Sequence, residues 1–392
     1  MLCFTEISAN EFLNHYWQKK PLVIRQALPD FINALTPDEL AGLAMEEEIE
    51  SRIVFETPNK APRWHLKRGP FSESDFTRLP ATHWTLLVQG VDRFIPDVYA
   101  MLDHFDFIPQ WRIDDVMISY AVNHGSVGPH YDNYDVFLYQ AKGRRKWSLT
   151  TKDCNNHNYL ADTELRIMKQ FDIEDEYILE EGDMLYLPPH VGHYGIAISE
   201  ACMTYSFGYR SYQGHELWDS YAEYLAEQGQ STLLYQDPIW EPNRGTSELP
   251  QQAWLNAKKL MRHLLDNEEL LKSWFGCFVT RLDCQAEALL PSPLNKKSAQ
   301  LDHFVKELKN SEGLIRNPLC RFAYQESIDR RFLHLFINGG LWDSDQAAND
   351  LIKAVANSRV LTTKRLIPFI NDKHNQIFLF KLWRLRWLEF IE

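Results

Sequence analysis

Several features that would assign a chain to a class are missing from this sequence. Its six cysteines include no Cys-x-x-Cys pair, which excludes a zinc ribbon and gives no disulfide framework. No apolar run approaches the length that spans a bilayer, and the first residues lack the basic and apolar stretches of a signal peptide. We therefore expect reduced thiols, a cytoplasmic protein and no membrane partner.

The chain is rich in aromatic residues and in acidic charge. Hydrophobic residues make up 45% of the 392 positions and aromatic residues 13%, which is enough for a sizeable core. The length suits two or three domains. The formal net charge is -13, whereas nucleic-acid binding requires cations that replace the counterions of the phosphates. We expect no direct contact with nucleic acid, and an acidic surface favours a basic protein as partner.

Hydrophobic periodicity changes along the chain and divides it into regions. Between residues 110 and 212, short apolar runs alternate with glycine and proline, which is typical of a double-sheet jelly roll or barrel. From 213 to 290 the apolar spacing becomes helical, and residues 300–392 combine helices with short strands. The predicted elements are helices at Ser8–Trp17 and, with Thr36 as N-cap, Pro37–Glu47, and strands at Pro21–Arg25, Val116–Val122, Tyr134–Gln140, Arg145–Leu149, Asp183–Leu187 and Ala201–Phe207, with a tight turn at Gly143.

The segment Gly128-Pro-His-Tyr-Asp132 carries two side chains that bind metals. His130 and Asp132 are two positions apart, so on a strand they point to the same face and can both enter a barrel. A histidine and a carboxylate are two of the three ligands that hold non-haem Fe(II) and leave positions open for oxygen and a cosubstrate. In a chain with fourteen histidines, such a pair also arises by chance in a surface turn.

A third ligand is predicted on a distant strand. Glu181-Gly-Asp begins a strand, a Pro188-Pro189 break redirects the chain, and His193 begins the next strand. The order of the two segments favours an iron site. His190 is a second candidate, ranked lower because it lies inside the turn, and His124 is interpreted as a loop histidine. Two histidines and an aspartate also suit zinc, which stays an alternative.

A basic hairpin, Lys142-Gly-Arg-Arg-Lys-Trp147, follows the first pair of ligands. An oxygenase that uses 2-oxoglutarate needs a cation for the distal carboxylate. Arg145 and Trp147 share one strand face, so if Trp147 packs inward then Arg145 points inward too. A guanidinium binds a carboxylate through two parallel hydrogen bonds. Arg144 and Lys146 share the other face and are interpreted as a solvated hairpin tip.

Taken together, these motifs resemble the bacterial ribosomal oxygenases, which are JmjC-type cupin enzymes that hydroxylate an arginine in a large-subunit ribosomal protein. The resemblance implies an α+β fold, with a JmjC/cupin double-stranded β-helix (jelly roll) at residues 1–212, a helical dimerisation region at 213–295 and a winged-helix-like module at 296–392. The matching segments are Trp17–Ile24, Trp111–Ser119, Gly128–Asp132, Gly143–Trp147 and Gly182–Pro189.

By position, the resemblance makes His130, Asp132 and His193 the iron ligands and Arg145 the anchor for 2-oxoglutarate. The implied cofactors are Fe(II), 2-oxoglutarate as cosubstrate and molecular oxygen. The implied partners are a ribosomal protein substrate and a second copy of the chain in a homodimer. One departure is His190, where glycine is expected after the Pro-Pro break, and it puts the local turn geometry in question.

The resemblance also implies a substrate pocket near Asp115, Met117, Tyr134 and Ser206. Physical chemistry supports part of this pocket independently, because Asp115 and Met117 alternate onto one strand face. A carboxylate beside an apolar wall suits an arginine side chain, which has a charged head and an aliphatic stem. The alternative is that Met117 is ordinary core and that Asp115 caps a turn.

Three functions are therefore weighed. The first is a protein-arginine hydroxylase that depends on Fe(II) and 2-oxoglutarate. The second is a histidine or lysine hydroxylase or demethylase on the same scaffold. The third is a non-catalytic, winged-helix regulatory protein with a relic cupin, against which the intact His130, Asp132 and His193 set and Arg145 argue.

Overall fold

The structure, a computed structural model, describes residues 2–4, 7–161, 163–229, 233–239, 247, 249–295, 299–327, 332–344 and 346–391. The chain divides into two compact units, Met1–Ser211 and Tyr212–Glu392. Residue 296, where the predicted third domain begins, lies outside the described residues, and the boundaries at 212 and 295 stay predictions. In the described ranges, no helix is both long enough and apolar enough to cross a bilayer.

The first unit consists of short antiparallel strands flanked by short helices. Its strands are β1 (Leu22–Ile24), β2 (Ser51–Glu56), β3 (Trp64–Arg68), β4 (Trp84–Val88), β5 (Ile113–Ala121), β6 (His130–Tyr131), β7 (Val136–Lys142), β8 (Arg145–Thr150), β9 (Asp175–Leu179), β10 (Met184–Leu187), β11 (Gly192–Ala197) and β12 (Cys202–Tyr209). Its helices are α1 (Ala9–His15), α2 (Pro37–Leu43), α3 (Glu73–Thr77) and α4 (Pro96–Met101), with 3-10 turns at Val91–Arg93, Leu102–Phe105 and Gln110–Arg112.

These strands form a large and a small sheet. The large sheet has the order β1-β10-β7-β12-β5-β4-β2-β3, and the small sheet has the order β6-β11-β8-β9. Strand β7 shows how the layers arise. Val136 and Leu138 face inward and pack with Trp147 of the small sheet, while Phe137 and Tyr139 face outward into the main core. Both faces are buried, which confirms the predicted double-sheet jelly roll.

The main core of this unit lies between the large sheet and the N-terminal helices. Phe12 of α1, Leu40 of α2 and Phe105 are fully buried in it. The Phe12 ring meets that of Tyr186 edge-on, with 4.8 Å between the ring centroids. Aromatic pairs of this geometry add to the free energy gained by burial alone. The N-terminal helices therefore brace the outer face of the sheet whose inner face lines the site.

The predicted strands are present with shifted ends. The predicted strand at Tyr134 begins at Val136, because the chain between β6 and β7 crosses from the small sheet to the large one. Tyr134 lies in that crossing rather than on a strand. The turn at Gly143 is confirmed: its φ is +68°, and a Cβ there would lie 2.1 Å from the carbonyl oxygen of Ala201. Helix α2 has the predicted Thr36 cap but ends at Leu43 rather than Glu47.

The second unit combines helices with two small sheets, as the periodicity predicts. Its helices are α5 (Gly214–Glu227), α6 (Gln251–Leu265), α7 (Glu268–Thr280), α8 (Cys284–Leu289), α9 (Leu301–Asn310), α10 (Asn349–Asn357), α11 (Thr363–Leu366) and α12 (Lys373–Arg384). Its strands are β13 (Gly313–Arg316), β14 (Phe322–Glu326), β15 (Leu333–Ile337), β16 (Gly340–Trp342), β17 (Val360–Thr362) and β18 (Leu388–Phe390), in the orders β17-β13-β18 and β14-β15-β16.

Two packing features hold this unit together. Tyr221 of α5 and Trp274 of α7 pack with ring centroids 5.0 Å apart, and the Tyr221 hydroxyl donates to the carbonyl of Leu264 at 2.6 Å. Arg316 is buried on β13 and donates to the carbonyls of Val355 and Ala356 at 2.9 and 2.7 Å. These carbonyls lie in the last turn of α10, where a cation also complements the helix dipole.

Candidate functional site

Strand pairing brings three potential metal ligands together. His130 on β6 lies directly opposite His193 on β11, and Asp132 follows β6 immediately. One ligand atom from each side chain lies within 4.8 Å of the others. The distance from His193 Nε2 to Asp132 Oδ2 is 3.7 Å. Strand β6 ends at Tyr131, so Asp132 lies just after the strand and not on it. The three side chains still come together.

Hydrogen bonds orient both imidazoles for metal binding. Nδ1 of His130 donates to the Gly128 carbonyl at 2.9 Å, and Nδ1 of His193 donates to the Val191 carbonyl at 3.0 Å. A carbonyl can only accept, so the proton is on Nδ1 and Nε2 keeps its lone pair. Burial, and then the neighbouring His130, lower the pKa of His193 to about 4, so its imidazole is neutral near pH 7.

The donor set fits a divalent metal ion. Two neutral imidazoles and one carboxylate form the facial arrangement that non-haem Fe(II) takes, with positions left for other ligands. The same donors also suit zinc, so the residues alone do not choose between the two metals.

The two other histidines considered from the sequence lie elsewhere. His190 is exposed in the turn before β11, where its backbone N–H donates to the backbone carbonyl of Asp132 at 2.8 Å. Its φ is +63°, a conformation that favours glycine, so the turn retains the geometry of the expected glycine. His124 is exposed, and its ring stacks on that of His83 with centroids 5.0 Å apart. Neither belongs to the metal-ligand group found among the described residues.

Arg145 is a buried cation that points into the barrel. It shares the inner face of β8 with Trp147, and each of the two is 4% exposed. Arg144 is exposed, and Lys146 pairs with Glu176 at 2.7 Å. In the part of the chain that the structure describes, nothing accepts a hydrogen bond from Nε or Nη2 of Arg145. Unpaired buried donors are costly, and a carboxylate ligand would satisfy them.

A cavity of about 350 Å³ lies between the two sheets and contains all these groups. Its wall joins the three ligand side chains and Arg145 to all four residues expected in the substrate pocket. The lining includes Asp115, Met117, Thr204, Ser206 and Gly208 from the large sheet, His130, Arg145, Trp147 and His193 from the small sheet, and Asp132 and Tyr134 from the crossing.

Asp115 is buried in the wall of this cavity. Its Oδ2 accepts from Nε2 of Gln89 at 2.6 Å and from the Gly90 amide at 2.9 Å. It thus accepts from a backbone amide at the start of a 3-10 turn, as the alternative interpretation expected, and it also lines the cavity. Its role toward a substrate stays a prediction. Burial, and then the charges of Asp92 and Asp114, raise its pKa to about 7. Bringing a cation into the cavity would favour its charged form.

Met117 and Tyr134 complete the predicted pocket. Met117 is half-buried, packs against the small hydrophobic cluster that includes Val54, and also lines the cavity, with its sulfur 3.6 Å from Nη2 of Arg52. The role of Met117 toward a substrate stays a prediction. Tyr134 has 42% of its surface exposed. The Asp132 carboxylate is the main cause that raises the pKa of Tyr134 well above its usual value. The tyrosine therefore stays protonated beside the metal ligands.

Several cavity residues were not predicted from the sequence. Arg52 lies on β2 and Gln89 directly follows β4, in a part of the chain where no strand was predicted. Gln89 is a polar residue directly after the fully buried β4, and that position was the available signal. Arg166 and Ile167 come from the loop between β8 and β9, where no pattern marked them. Gly208 has no side chain, so its residue type gave no sign of a functional role.

The fold and the site together define a JmjC-type cupin protein. Residues 100–217 match the JmjC domain family, and residues 262–389 match the ROXA-like winged helix family. The second match confirms the predicted winged-helix-like module.

Relatives identify the particular family. The chain is 36% identical over 306 residues to the ribosomal protein uL16 3-hydroxylase of Escherichia coli K12, which is 78% of this chain and 79% of the relative. It is 40% identical over 213 residues to a probable ribosomal oxygenase of Haemophilus influenzae, covering 53% and 51%. The X-ray structure of E. coli YcfD superposes over 100% of this chain and 99% of that chain, with a TM-score of 0.86 and 31% identity. The chain belongs to the ribosomal oxygenase family.

Proposed function

We propose that this protein is an Fe(II)- and 2-oxoglutarate-dependent oxygenase that hydroxylates an arginine side chain of a large-subunit ribosomal protein. One observation carries the proposal. Arg145, whose Nε and Nη2 have no acceptor among the described residues, lines the same cavity as His130, Asp132 and His193. A site for an anion beside a site for a metal ion is what a carboxylate cosubstrate of a metal enzyme requires.

The chain's own residues hold and orient the reactants. Nε2 of His130, Nε2 of His193 and a carboxylate oxygen of Asp132 would bind Fe(II), and the backbone carbonyls that accept from each Nδ1 fix both rings. Bound Fe(II) would activate molecular oxygen, which is the oxidant, and 2-oxoglutarate would be oxidised together with the C–H bond that is hydroxylated. Arg145 would hold the distal carboxylate of 2-oxoglutarate through its free Nε and Nη2. A structure of YcfD in complex with cobalt and 2-oxoglutarate, at a TM-score of 0.82, supports 2-oxoglutarate as the cosubstrate.

Arginine is the proposed target because of the opposite wall. Asp115 offers a buried carboxylate, Met117 offers an apolar surface, and the Ser206 hydroxyl offers a further acceptor. A guanidinium on a long aliphatic stem matches these three groups. Tyr134 lies at the exposed side of the cavity, where it would contact the substrate backbone or stem. The name of the E. coli relative, a uL16 hydroxylase, supports a ribosomal protein as substrate.

A lysine or histidine target remains the second candidate. Insect proteins named bifunctional lysine-specific demethylase and histidyl-hydroxylase NO66 are also similar, at 24% identity over 194 residues for the Aedes aegypti protein. The buried carboxylate of Asp115 favours a cationic side chain, which suits lysine as well as arginine. A non-catalytic role is disfavoured, because a relic site would have no reason to keep Arg145 buried without a partner.

We also propose a homodimer formed through residues 213–295. Helix α6 has no fully buried residue, and it exposes Trp254 and Met261 seven positions apart, on one face. A second copy would cover this apolar surface around a two-fold axis. A ribosomal substrate also implies a cytoplasmic enzyme, and the overall acidic charge disfavours direct binding to nucleic acid.

The proposed function is tested on uL16 purified from E. coli cells that lack their own hydroxylase. The purified uL16 is incubated with the oxygenase, Fe(II) and 2-oxoglutarate in air. Tandem mass spectrometry then locates any oxygen atom added to uL16. Oxygen on an arginine supports the proposal, and oxygen on a histidine or lysine supports the second candidate. The incubation is repeated with large ribosomal subunits from the same cells. No added oxygen on uL16 or on any other protein of the subunit contradicts both candidates.

A further inference from the structure

At Gly208, neither the backbone conformation nor the packing of the described residues requires a glycine. It lies in β12, at the irregularity where the pairing with β5 shifts between Phe207 and Tyr209. Its φ lies outside the left-handed region. A Cβ built at this position would meet only Asp115, at 3.5 Å from Oδ1 and 3.7 Å from the carbonyl oxygen, which are ordinary van der Waals distances.

The other barrel glycines differ in this respect. A Cβ at Gly195 would lie 2.6 Å from the ring of Trp147, and a Cβ at Gly143 would lie 2.1 Å from a backbone carbonyl. Packing therefore explains those two positions. At Gly208, neither backbone conformation nor packing excludes alanine. Alanine within a strand would also make the fold more stable than glycine does. The remaining explanation is the space in front of it, because Gly208 lines the cavity.

That space adjoins one particular oxygen atom. Gln89 and the Gly90 amide both donate to Oδ2 of Asp115, so these contacts fix the carboxylate with Oδ1 beside Gly208. A planar guanidinium that pairs with the carboxylate needs its N–H groups about 2.7–2.9 Å from the oxygen. A methyl group 3.5 Å from the same oxygen would occupy part of that approach.

We propose that Gly208 is a specificity-determining residue: its missing side chain leaves room beside Oδ1 of Asp115 for the flat head of the substrate arginine. This inference rests on the proposed function, since it takes arginine as the substrate. A lysine ammonium is more compact than a guanidinium and approaches as a point charge. The space at Gly208 thus discriminates between the two cations by shape, whereas the charge of Asp115 attracts both.

The experiment compares Gly208→Ala with Gly214→Ala. The control adds a methyl group at the start of α5, where nothing lies within 4 Å of it. The ligands are unmodified uL16 and its variant with lysine at the arginine located by mass spectrometry. Binding is measured for the full-length enzyme loaded with Mn(II) and 2-oxoglutarate in the absence of oxygen. We expect the preference for arginine over lysine, as a ratio of Kd values, to fall at least tenfold in Gly208→Ala and to stay constant in Gly214→Ala.

The outcomes separate the inference from the proposed function. If the wild-type enzyme hydroxylates no arginine, the proposed function fails and the inference fails with it. If arginine is hydroxylated but Gly208→Ala keeps the wild-type ratio, or weakens both ligands equally, only the inference fails. A melting temperature of Gly208→Ala several degrees below that of the wild type would show that packing requires the glycine, which also overturns the inference.

Discussion

Side chains in the cavity differ in whether the protein supplies their polar partners. His130 and His193 each donate to a backbone carbonyl, and Gln89 donates to Asp115. Arg145 has two donor atoms for which the described residues offer no acceptor. His130, His193 and Asp115 are thus oriented by the protein, while Arg145 would gain its partner from the proposed ligand. Substitutions of these residues have correspondingly different effects.

Removing the carboxylate ligand should abolish metal binding. In Asp132→Ala, the two histidines alone bind Fe(II) weakly, so we expect loss of Fe(II) binding in calorimetry and loss of turnover, with an unchanged circular dichroism spectrum. His130→Ala should behave in the same way. Asp172→Ala, an exposed aspartate, is the control. Full activity of Asp132→Ala would exclude this residue as a ligand.

Arg145→Ala should weaken 2-oxoglutarate binding far more than Arg144→Ala. Only Arg145 is buried in the cavity, whereas Arg144 is exposed. Loss of a shielded, charge-assisted pair costs about 2–5 kcal/mol. Titration of the Mn(II)-loaded variants with 2-oxoglutarate measures the difference. Equal effects of the two substitutions would contradict the assignment of Arg145 as the anchor.

Asp115 should reduce the stability of the ligand-free protein at neutral and alkaline pH. Its folded-state pKa of about 7 lies above the usual value of 3.8. Between these values the folded protein holds a proton that the unfolded chain has lost, so the free energy of unfolding falls as pH rises. Asp115→Asn removes this cost and keeps an oxygen that accepts from Gln89. We expect it to stabilise the protein by about 2–4 kcal/mol at pH 8.

The same gain should shrink as the pH falls toward 4, where Asp115 is protonated in both states. Urea unfolding at several pH values, with metal removed by a chelator, measures this. Asp172→Asn serves as the control. A stability difference that does not change with pH would mean that the carboxyl of Asp115 titrates normally.

Residue spacing predicted part of the site and missed the rest for a physical reason. Strand alternation placed Arg145 inward and Arg144 outward, because a two-residue period depends only on local geometry. Tyr134 was expected on a strand but lies in the crossing between sheets. Gln89 reaches Asp115 from a neighbouring strand, and such a contact depends on strand order. Local sequence patterns do not encode that order.

Helix and strand ends depend on single polar side chains near them. At α2, Oγ1 of Thr36 accepts from the Glu39 amide at 3.3 Å, and the Glu39 carboxylate accepts from the Thr36 amide at 2.8 Å. This reciprocal pair is visible in the sequence as Thr-x-x-Glu before an apolar run, so the helix start was predicted correctly. The end was not, because Gly42 and the residues after it carry no equally specific signal.

Thr36→Ala should therefore destabilise the first unit by about 1 kcal/mol, since it leaves an amide of the first helical turn without its acceptor. Thr36→Ser keeps the hydroxyl and should retain most of the stability. Chemical denaturation of the three proteins decides between these values. Equal stability of Thr36→Ala and wild type would mean that water replaces the cap at no cost.

Strands that cross the barrel were predicted where apolar runs end at glycine or proline. Strands β7 and β10 follow this rule, because Gly143 and Pro188 come directly after them. Strand β6 has only two residues, His130 and Tyr131, which is too short for a periodic pattern. Strand β9 was missed because it begins with Asp175 and Glu176 and buries only Leu179, so its five residues show no clear alternation of apolar and polar positions.

The cavity and the winged helix lie in different units of the molecule. Met1–Ser211 contains the cavity, and Tyr212–Glu392 contains the ROXA-like winged helix and helices α5 to α7. Apolar periodicity predicted that the latter region is helical. Its uncovered surface on α6 depends on which residues pack against others, so it became visible only with the fold.

The proposed homodimer predicts the mass of the particle in solution. Light scattering at micromolar concentration should give twice the chain mass of 46.1 kDa. The double substitution Trp254→Glu and Met261→Glu places two charges on the exposed face of α6 and should shift the mass to that of the monomer. Lys259→Glu, also exposed on α6, should remain dimeric. A monomeric wild-type protein would contradict the dimer and leave the catalytic proposal intact.

The two sheets of the barrel divide its tasks, which has a consequence for how new activities arise. The small sheet carries His130, Arg145 and His193, while the wall with Asp115 and Gly208 belongs to the large sheet. Under the proposed assignments, substitutions on β5 and β12 would change the wall that meets the substrate and leave His130, His193 and Arg145 in place. A laboratory evolution library restricted to the inward positions of these two strands would keep most of its members chemically competent. Gene duplication followed by drift at the same positions offers nature the same route to new protein substrates.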